Sequence, residues 1–429
     1  MKVQRYYVWR FKKRANKKLK KRGIFSFFSL LLLGVSFIYS EEKEDKSLLL
    51  KIGEKNYKNQ VMEIFPNKIY SNREEKSVAF SEMIKDMKDS SFIYVGEIHN
   101  SLPLHDIQLK IIQALYEQDK NLSIGLEMLP VSTQEVLNKW SLGILTQDEL
   151  IHEVNWYVNW NYNFGFYQGI FAFAKEYKIP LYALNIPREI IKKIRMKGWK
   201  NLSDEEKKFV PQPDLTHEEH RILIRTIFES AEIPQQMKGK SLDLAFEGLY
   251  RAQSAWDEVM AFNAVRALKE QKMVVLAGSG HLLYNLGINR RAYERNRLLF
   301  KTVISLAIPG GRRNLRVSRS LADYVWGIVE EERPAFPSIG LSFKKFDGLD
   351  NLVAEKKPIE GVAKEANFEK GDVILSVDGK SFQDINQLRI YLAQWTWNDE
   401  VKFRLLRDGR EIEVILKFEI PGKKNEQGE

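Results

Sequence analysis

From Ser91 onward, short apolar runs rich in β-branched residues alternate with longer stretches of helical spacing, and four of the runs end on a polar side chain. Phe92-Ile93-Tyr94-Val95 leads into Gly96-Glu97-Ile98-His99, and the run 273–277 leads into Gly278-Ser279-Gly280-His281. Ile124-Gly125-Leu126 delivers Glu127, and the run 180–184 delivers Asn185 and then Arg188. A further strand is expected over 302–307 and a helix over 106–116, where Ile107, Ile111, Ile112 and Leu115 share one face. This alternation predicts an α/β domain, a mostly parallel sheet flanked by helices. Residues 190–270 carry amphipathic patterns (221–229 and 244–269) and no strand pattern, so a helical insertion is expected there.

Open parallel sheets place their ligand sites at the carboxyl edge, which is where these polar residues fall. His99, His281, Glu97 and Glu127 suit a divalent metal such as manganese, cobalt or zinc that keeps a position open for water. The same groups without metal suit a general base and the acid that orients it. His105 lies six residues past His99 and either joins the site or caps a helix. His217-Glu218-Glu219-His220 matches neither zinc-protease pattern and comes after a Pro-Gln-Pro-Asp stretch, so it reads as the solvated start of a helix. Trp156, Tyr157, Trp160, Tyr162, Phe164, Phe166 and Tyr167 form an aromatic cluster, read as packing or as the wall of a pocket for a flat ligand. His152 reads as a surface or capping residue.

The net charge of +10 is misleading until it is located. Residues 1–22 hold eleven Lys/Arg and no acid; taking those from the 67 basic residues leaves 56 against 57 acidic. The charge belongs to a tail, and no nucleic-acid-binding domain is implied. An apolar run, GIFSFFSLLLLGVSFIY, occupies 23–39, then come Ser40 and the charged EEKEDK. Basic region, apolar core and small residue describe a signal peptide or an uncleaved inner-membrane anchor, and either exports the chain beyond residue 40. The expected location is the periplasm or cell envelope. The chain has no cysteine, which excludes disulfides, a cysteine nucleophile and anchoring as a lipoprotein.

Near residue 330 the character changes to a compact β pattern over 339–343, 373–377, 401–406 and 411–418, with a helix at 385–394. Asp378-Gly379 and Asp408-Gly409 are short-turn signals. The expected organisation is a basic tail with signal or anchor at 1–40, the α/β domain at 75–315, a linker at 316–335 and a small β-rich domain at 336–420.

GEIHNSLPLHDIQLKIIQAL, GLEML, WNYNFGFYQGIFAFAKEYKIPLYALNIPRE, WDEVMA and VVLAGSGHLLYNLGI resemble, in that order, the ChaN-like haem-binding uptake family of the Tiki/TraB/erythromycin-esterase-like superfamily. The resemblance implies an α/β fold with paired Gly-x-x-His motifs around one cleft, and haem binding in iron acquisition. It carries His99, His281, Glu97 and Glu127 as the polar site, with His105 and Arg188 as family-pattern positions. It also implies haem ligation by a tyrosine, for which Tyr157, Tyr162, Tyr167 and Tyr284 stand nearest in sequence. The Tiki branch implies metal-dependent proteolysis instead, and whether the chain is an enzyme stays open at this point. The last module resembles a PDZ domain of the HtrA type. Ile339, Gly340, Leu341, Ser342 and Phe343 stand where the carboxylate-binding loop and peptide strand would be, and FEKGDVILSVDGK is its most specific segment. That implies an envelope protein's C-terminal peptide as partner. Asn367 stands where glycine is usual.

Overall fold

The computed structural model describes residues 45–230, 239–269, 271–345, 350–359 and 361–420. The expected signal or anchor at 23–39 lies outside these residues. Among the described residues no helix is long and apolar enough to cross a membrane. The described residues divide into two compact units: 155–165 with the described residues from 333 to 420, and 45–154 with the described residues from 166 to 332.

The larger unit holds β1 (Val61–Ile64), β2 (Lys68–Ser71), β3 (Lys76–Val78), β4 (Phe92–Glu97), β5 (Leu122–Pro130), β6 (Leu181–Asn185), β7 (Lys272–Gly278), β8 (Phe300–Ile308), β9 (Leu315–Ser318) and β10 (Tyr324–Val329). Eight of them form one sheet in the order β3-β2-β10-β8-β4-β7-β5-β6, and β1 pairs with β9. From β10 to β6 every pairing is parallel. Parallel strands covered on both faces are mostly apolar, and every residue of β4 and β5 is buried, with Glu97 and Glu127 towards their carboxyl ends. All five strands expected in this region are present.

The insertion is helical as expected: Arg188–Lys197, Asp204–Phe209, Glu218–Ser230 and Lys240–Ala267. The antiparallel strands β2 and β3 at one edge, and β1 and β9 beside it, carried no clear signal because they are only three or four residues long. β9 and β10 fall largely within 316–335, where a linker is expected. β10 extends the parallel sheet through six register pairs with β8.

The smaller unit is built on an antiparallel sheet in the order β11 (Phe343–Lys345), β12 (Leu352–Ala354), β13 (Val373–Val377), β14 (Glu400–Arg407) and β15 (Arg410–Lys417). Its core gathers Phe343, Phe368, Ile374, Leu388, Phe403 and Leu416. Asp408 and Gly409 both have positive φ (48° and 82°), the mirror-image turn that suits the twist of a two-residue hairpin. Asn367 adopts φ 58°, so the turn where glycine is usual is kept by a residue that tolerates the left-handed region. The strand expected over 339–343 begins only at Phe343. Ile339 and Ser338 instead accept backbone hydrogen bonds from Ala363 and Val362.

Candidate functional site

β4 and β7 are neighbours, and their register sets Glu97 beside Gly278. A Cβ at Gly278 would lie 2.7 Å from Cε1 of His99, so the glycine makes room for that imidazole to fold across the strand end. β5 departs from its register with β6 between Leu126 and Pro130, where Glu127 sits. Asn185, at the end of β6, holds this irregularity by donating from Nδ2 to the Glu127 carbonyl at 3.0 Å.

Glu97 is the hub of one cluster. Its Oε1 lies 2.7 Å from Nδ1 of His99 and accepts from the Tyr167 hydroxyl at 2.8 Å. Its Oε2 lies 2.9 Å from Nδ1 of His105, whose ring packs tilted against Tyr167 with centroids 4.3 Å apart. Both ring nitrogens of His105 face acceptors, because Nε2 lies 3.4 Å from the His99 carbonyl. Burial alone would lower the His105 pKa, but the Glu97 charge outweighs it and the net shift is upward. Burial would likewise raise the Glu97 carboxyl; the charge of His105 and the hydrogen bond with His99 hold it well below the ordinary carboxylate range.

A second cluster is centred on Asp257, in helix Lys240–Ala267. Its Oδ1 lies 2.5 Å from Nδ1 of His281, and Nε2 of His281 lies 3.3 Å from Oε1 of Glu127. Gln253, one turn earlier on the same helix face, places its amide 2.8 Å from the same Nδ1. Burial opposes the charge on His281, but Glu127 and Asp257 overcome it and its pKa is pushed up to about 10. Glu127 is lowered in turn by His281 despite its burial, and accepts from the Gly278 amide at 2.6 Å. Nε2 of His220 lies 3.1 Å from Oδ2 of Asp257, close enough for electrostatic contact without hydrogen-bond alignment. Burial takes the His220 pKa down to about 4, so this imidazole is neutral. Arg291, itself buried, supplies positive charge 3.6 Å from Oδ2 of Asp257.

Of the residues singled out in the sequence, the structure thus brings together Glu97, His99, His105 and Tyr167, and joins His281 to Glu127. Tyr284 is elsewhere in its bonding: its hydroxyl donates to the Ser47 carbonyl and accepts from the Leu50 amide, at 2.7 and 3.0 Å. Tyr157 and Tyr162 belong to the smaller unit. Arg188 opens the helix after β6 and is half-buried. His217 caps its helix by accepting from the His220 amide at 3.2 Å, but His220 is buried rather than solvated. His152 is exposed.

Sequence reasoning missed Asp257, Gln253, Arg291 and the role of His220. A signal existed for the first two, a Gln and an Asp four apart in an expected helix. Among the described residues no group of three His, Asp or Glu is arranged to hold a metal ion.

In the smaller unit, β11 is an edge strand paired on one side with β12, and helix Ile385–Ala393 packs beside it. Leu341 and Phe343 turn into the core, while Ile339, Gly340 and Ser342 are half-buried, with Gly340 at φ 74°.

Residues 83–292 match the family described as haem-binding uptake, Tiki superfamily, ChaN, and residues 337–418 match the PDZ domain. A solved structure of ChaN of Campylobacter jejuni with cofacial haem is 20% identical; it spans 60% of this chain and 95% of its own, with a TM-score of 0.49. An HtrA-type protease with a bound decapeptide is 18% identical over 21% of this chain and 32% of its own, with a TM-score of 0.19. A probable periplasmic DegP-like serine endoprotease of Rickettsia prowazekii is 31% identical over 72 residues, which are 17% of this chain and 14% of that relative's length. The chain therefore carries a ChaN-like domain of the haem-binding Tiki superfamily family and a C-terminal PDZ domain.

Proposed function

We propose that the ChaN-like domain binds haem, or another iron-bearing small ligand, at the carboxyl edge of its sheet, with His99 as the iron ligand and Glu97 as the group that orients it. The observation that carries this reading is the bond between Nδ1 of His99 and Glu97 at 2.7 Å. Metal-ligating histidines characteristically give their other ring nitrogen to a carboxylate, which fixes the tautomer and raises the basicity of the ligating nitrogen. Tyr167, held by the same carboxylate, offers the second residue type that ligates haem iron. The donor chemistry therefore fits haem. His105, His281, Glu127 and Arg188 complete the proposed pocket.

The PDZ module binds a C-terminal peptide of an envelope protein, added as a strand along β11 with helix Ile385–Ala393 as the opposite wall. The edge position of β11 supports this. The basic tail and apolar run before residue 40 support export, and a reporter enzyme that works only in the cytoplasm, fused after residue 60, should be inactive. Haem titrated into the purified chain should give a saturable Soret shift; a spectrum matching haem mixed with an unrelated protein would remove the binding reading.

A further inference from the structure

The smaller unit contains a segment from far outside its own stretch of chain: Asn155–Gly165 folds with the described residues from 333 to 420. Three of its hydrogen bonds fall on one flank of helix Ile385–Ala393. The Tyr157 amide donates to Oδ1 of Asn386 at 3.3 Å, Nη1 of Arg389 donates to the Tyr157 carbonyl at 2.9 Å, and Nδ2 of Asn163 donates to the Ala393 carbonyl at 3.0 Å. Positions 386, 389 and 393 lie on one side of a helix. Leu388 and Leu392 point into the core, and Tyr391 occupies the other flank, where its ring meets Phe382 and its hydroxyl donates to Asp378. At its far end the segment closes on the chain that leads into Ile339–Phe343, since a Cβ at Gly165 would overlap the Phe336 ring. It touches the helical wall and the approach to the loop, the two sides between which a peptide strand would lie.

We propose that Asn155–Gly165 is an in-chain occupant of the PDZ module that competes with peptide, so that peptide binding requires the segment to leave. This rests on the peptide-binding reading above. The segment suits such a role because its polar contacts with the helix, through the Tyr157 backbone and Asn163, and its glycine-sized fit against Phe336 are of kinds an incoming strand can replace. An occupant that fills the site nine-tenths of the time lowers apparent peptide affinity about tenfold.

The test uses the full chain and a pool of fluorescent decapeptides ending in Phe, Val or Leu with a free carboxylate, with amidated peptides as control. Gly165→Val, which drives a side chain into Phe336, should bind the carboxylate pool about tenfold more tightly than the parent. Asn163→Ala, which removes the bond to the Ala393 carbonyl and the one its Oδ1 accepts from the Gly165 amide, should move affinity the same way by less. Peptide added to the parent should speed hydrogen exchange at the Tyr157 amide. Equal peptide affinity in parent and both variants, with Tyr157 exchange unchanged on binding, would overturn the competition and leave the peptide-binding reading standing. Absence of binding to any of the three chains would overturn both.

Discussion

Nδ1 of His281 lies 2.5 Å from Oδ1 of Asp257, 24 residues earlier on a helix, while Nε2 of the same ring lies 3.3 Å from Glu127 on the sheet. The imidazolium is therefore a charged pin between helix Lys240–Ala267 and the carboxyl edge of β5. Removing one partner of a buried ion pair leaves uncompensated charge, which is costly.

Asp257→Asn should accordingly bring the His281 pKa down from about 10 and destabilise the protein by about 3 kcal/mol, mostly through the uncompensated His281 charge, since Arg291 keeps Glu258 at 3.3 Å. Nuclear magnetic resonance titration of the ring protons and urea denaturation measure the two effects. An unchanged His281 titration would contradict the assignment.

Stability should fall on both sides of roughly pH 6.5. His281 has a folded pKa above the ordinary histidine value, so its contribution is complete below about pH 6.5 and is lost as pH climbs towards about 10. Glu97, Glu127 and Asp257 are lowered, so theirs is present above about pH 4.5 and lost on acidification. His220, lowered to about 4, adds to the acid loss, because the unfolded chain takes up that proton first. Thermal midpoints across pH 4–10 test this, and His281→Gln should flatten the alkaline decline.

Half of this arrangement is legible in the sequence. Glu97, His99 and His281 announce themselves because a glycine and a polar residue directly succeed apolar runs that can only be strands. The register that sets Glu97 beside Gly278 is a tertiary fact, yet strand ends at one sheet edge already imply convergence. Asp257 and His220 are different. They lie within helices whose polar positions look solvated, and only the packing of Glu218–Ser230 and Lys240–Ala267 turns those positions inward. Similarly, β2 and β3 are too short to show a period, and the smaller unit's use of Asn155–Gly165 has no local signal at all.

Gly278→Ala should cost about 1–3 kcal/mol, because the added methyl meets the His99 ring at 2.7 Å and one of them must shift. It should weaken haem binding while leaving the His105–Glu97 contact in place. Denaturant midpoints and haem titration report the two separately; wild-type haem affinity in this variant would remove His99 from the proposed pocket.

Glu97→Gln keeps the shape of the hub and removes its charge. Haem affinity should drop about 10–100-fold, the usual effect of losing the partner that orients a metal-bound histidine. The His105 pKa should fall in the same variant, since Glu97 is what raises it.

Glu97-anchored His99 as the iron ligand is tested most directly by comparing haem complexes of the parent chain, His99→Ala and Tyr167→Phe in absorption and electron paramagnetic resonance spectra. His99→Ala should lose both the saturable Soret shift and the axial-nitrogen signature, while Tyr167→Phe should keep the signature with weakened affinity. Unaltered spectra in His99→Ala, or their loss in Tyr167→Phe alone, would contradict this assignment of the ligand.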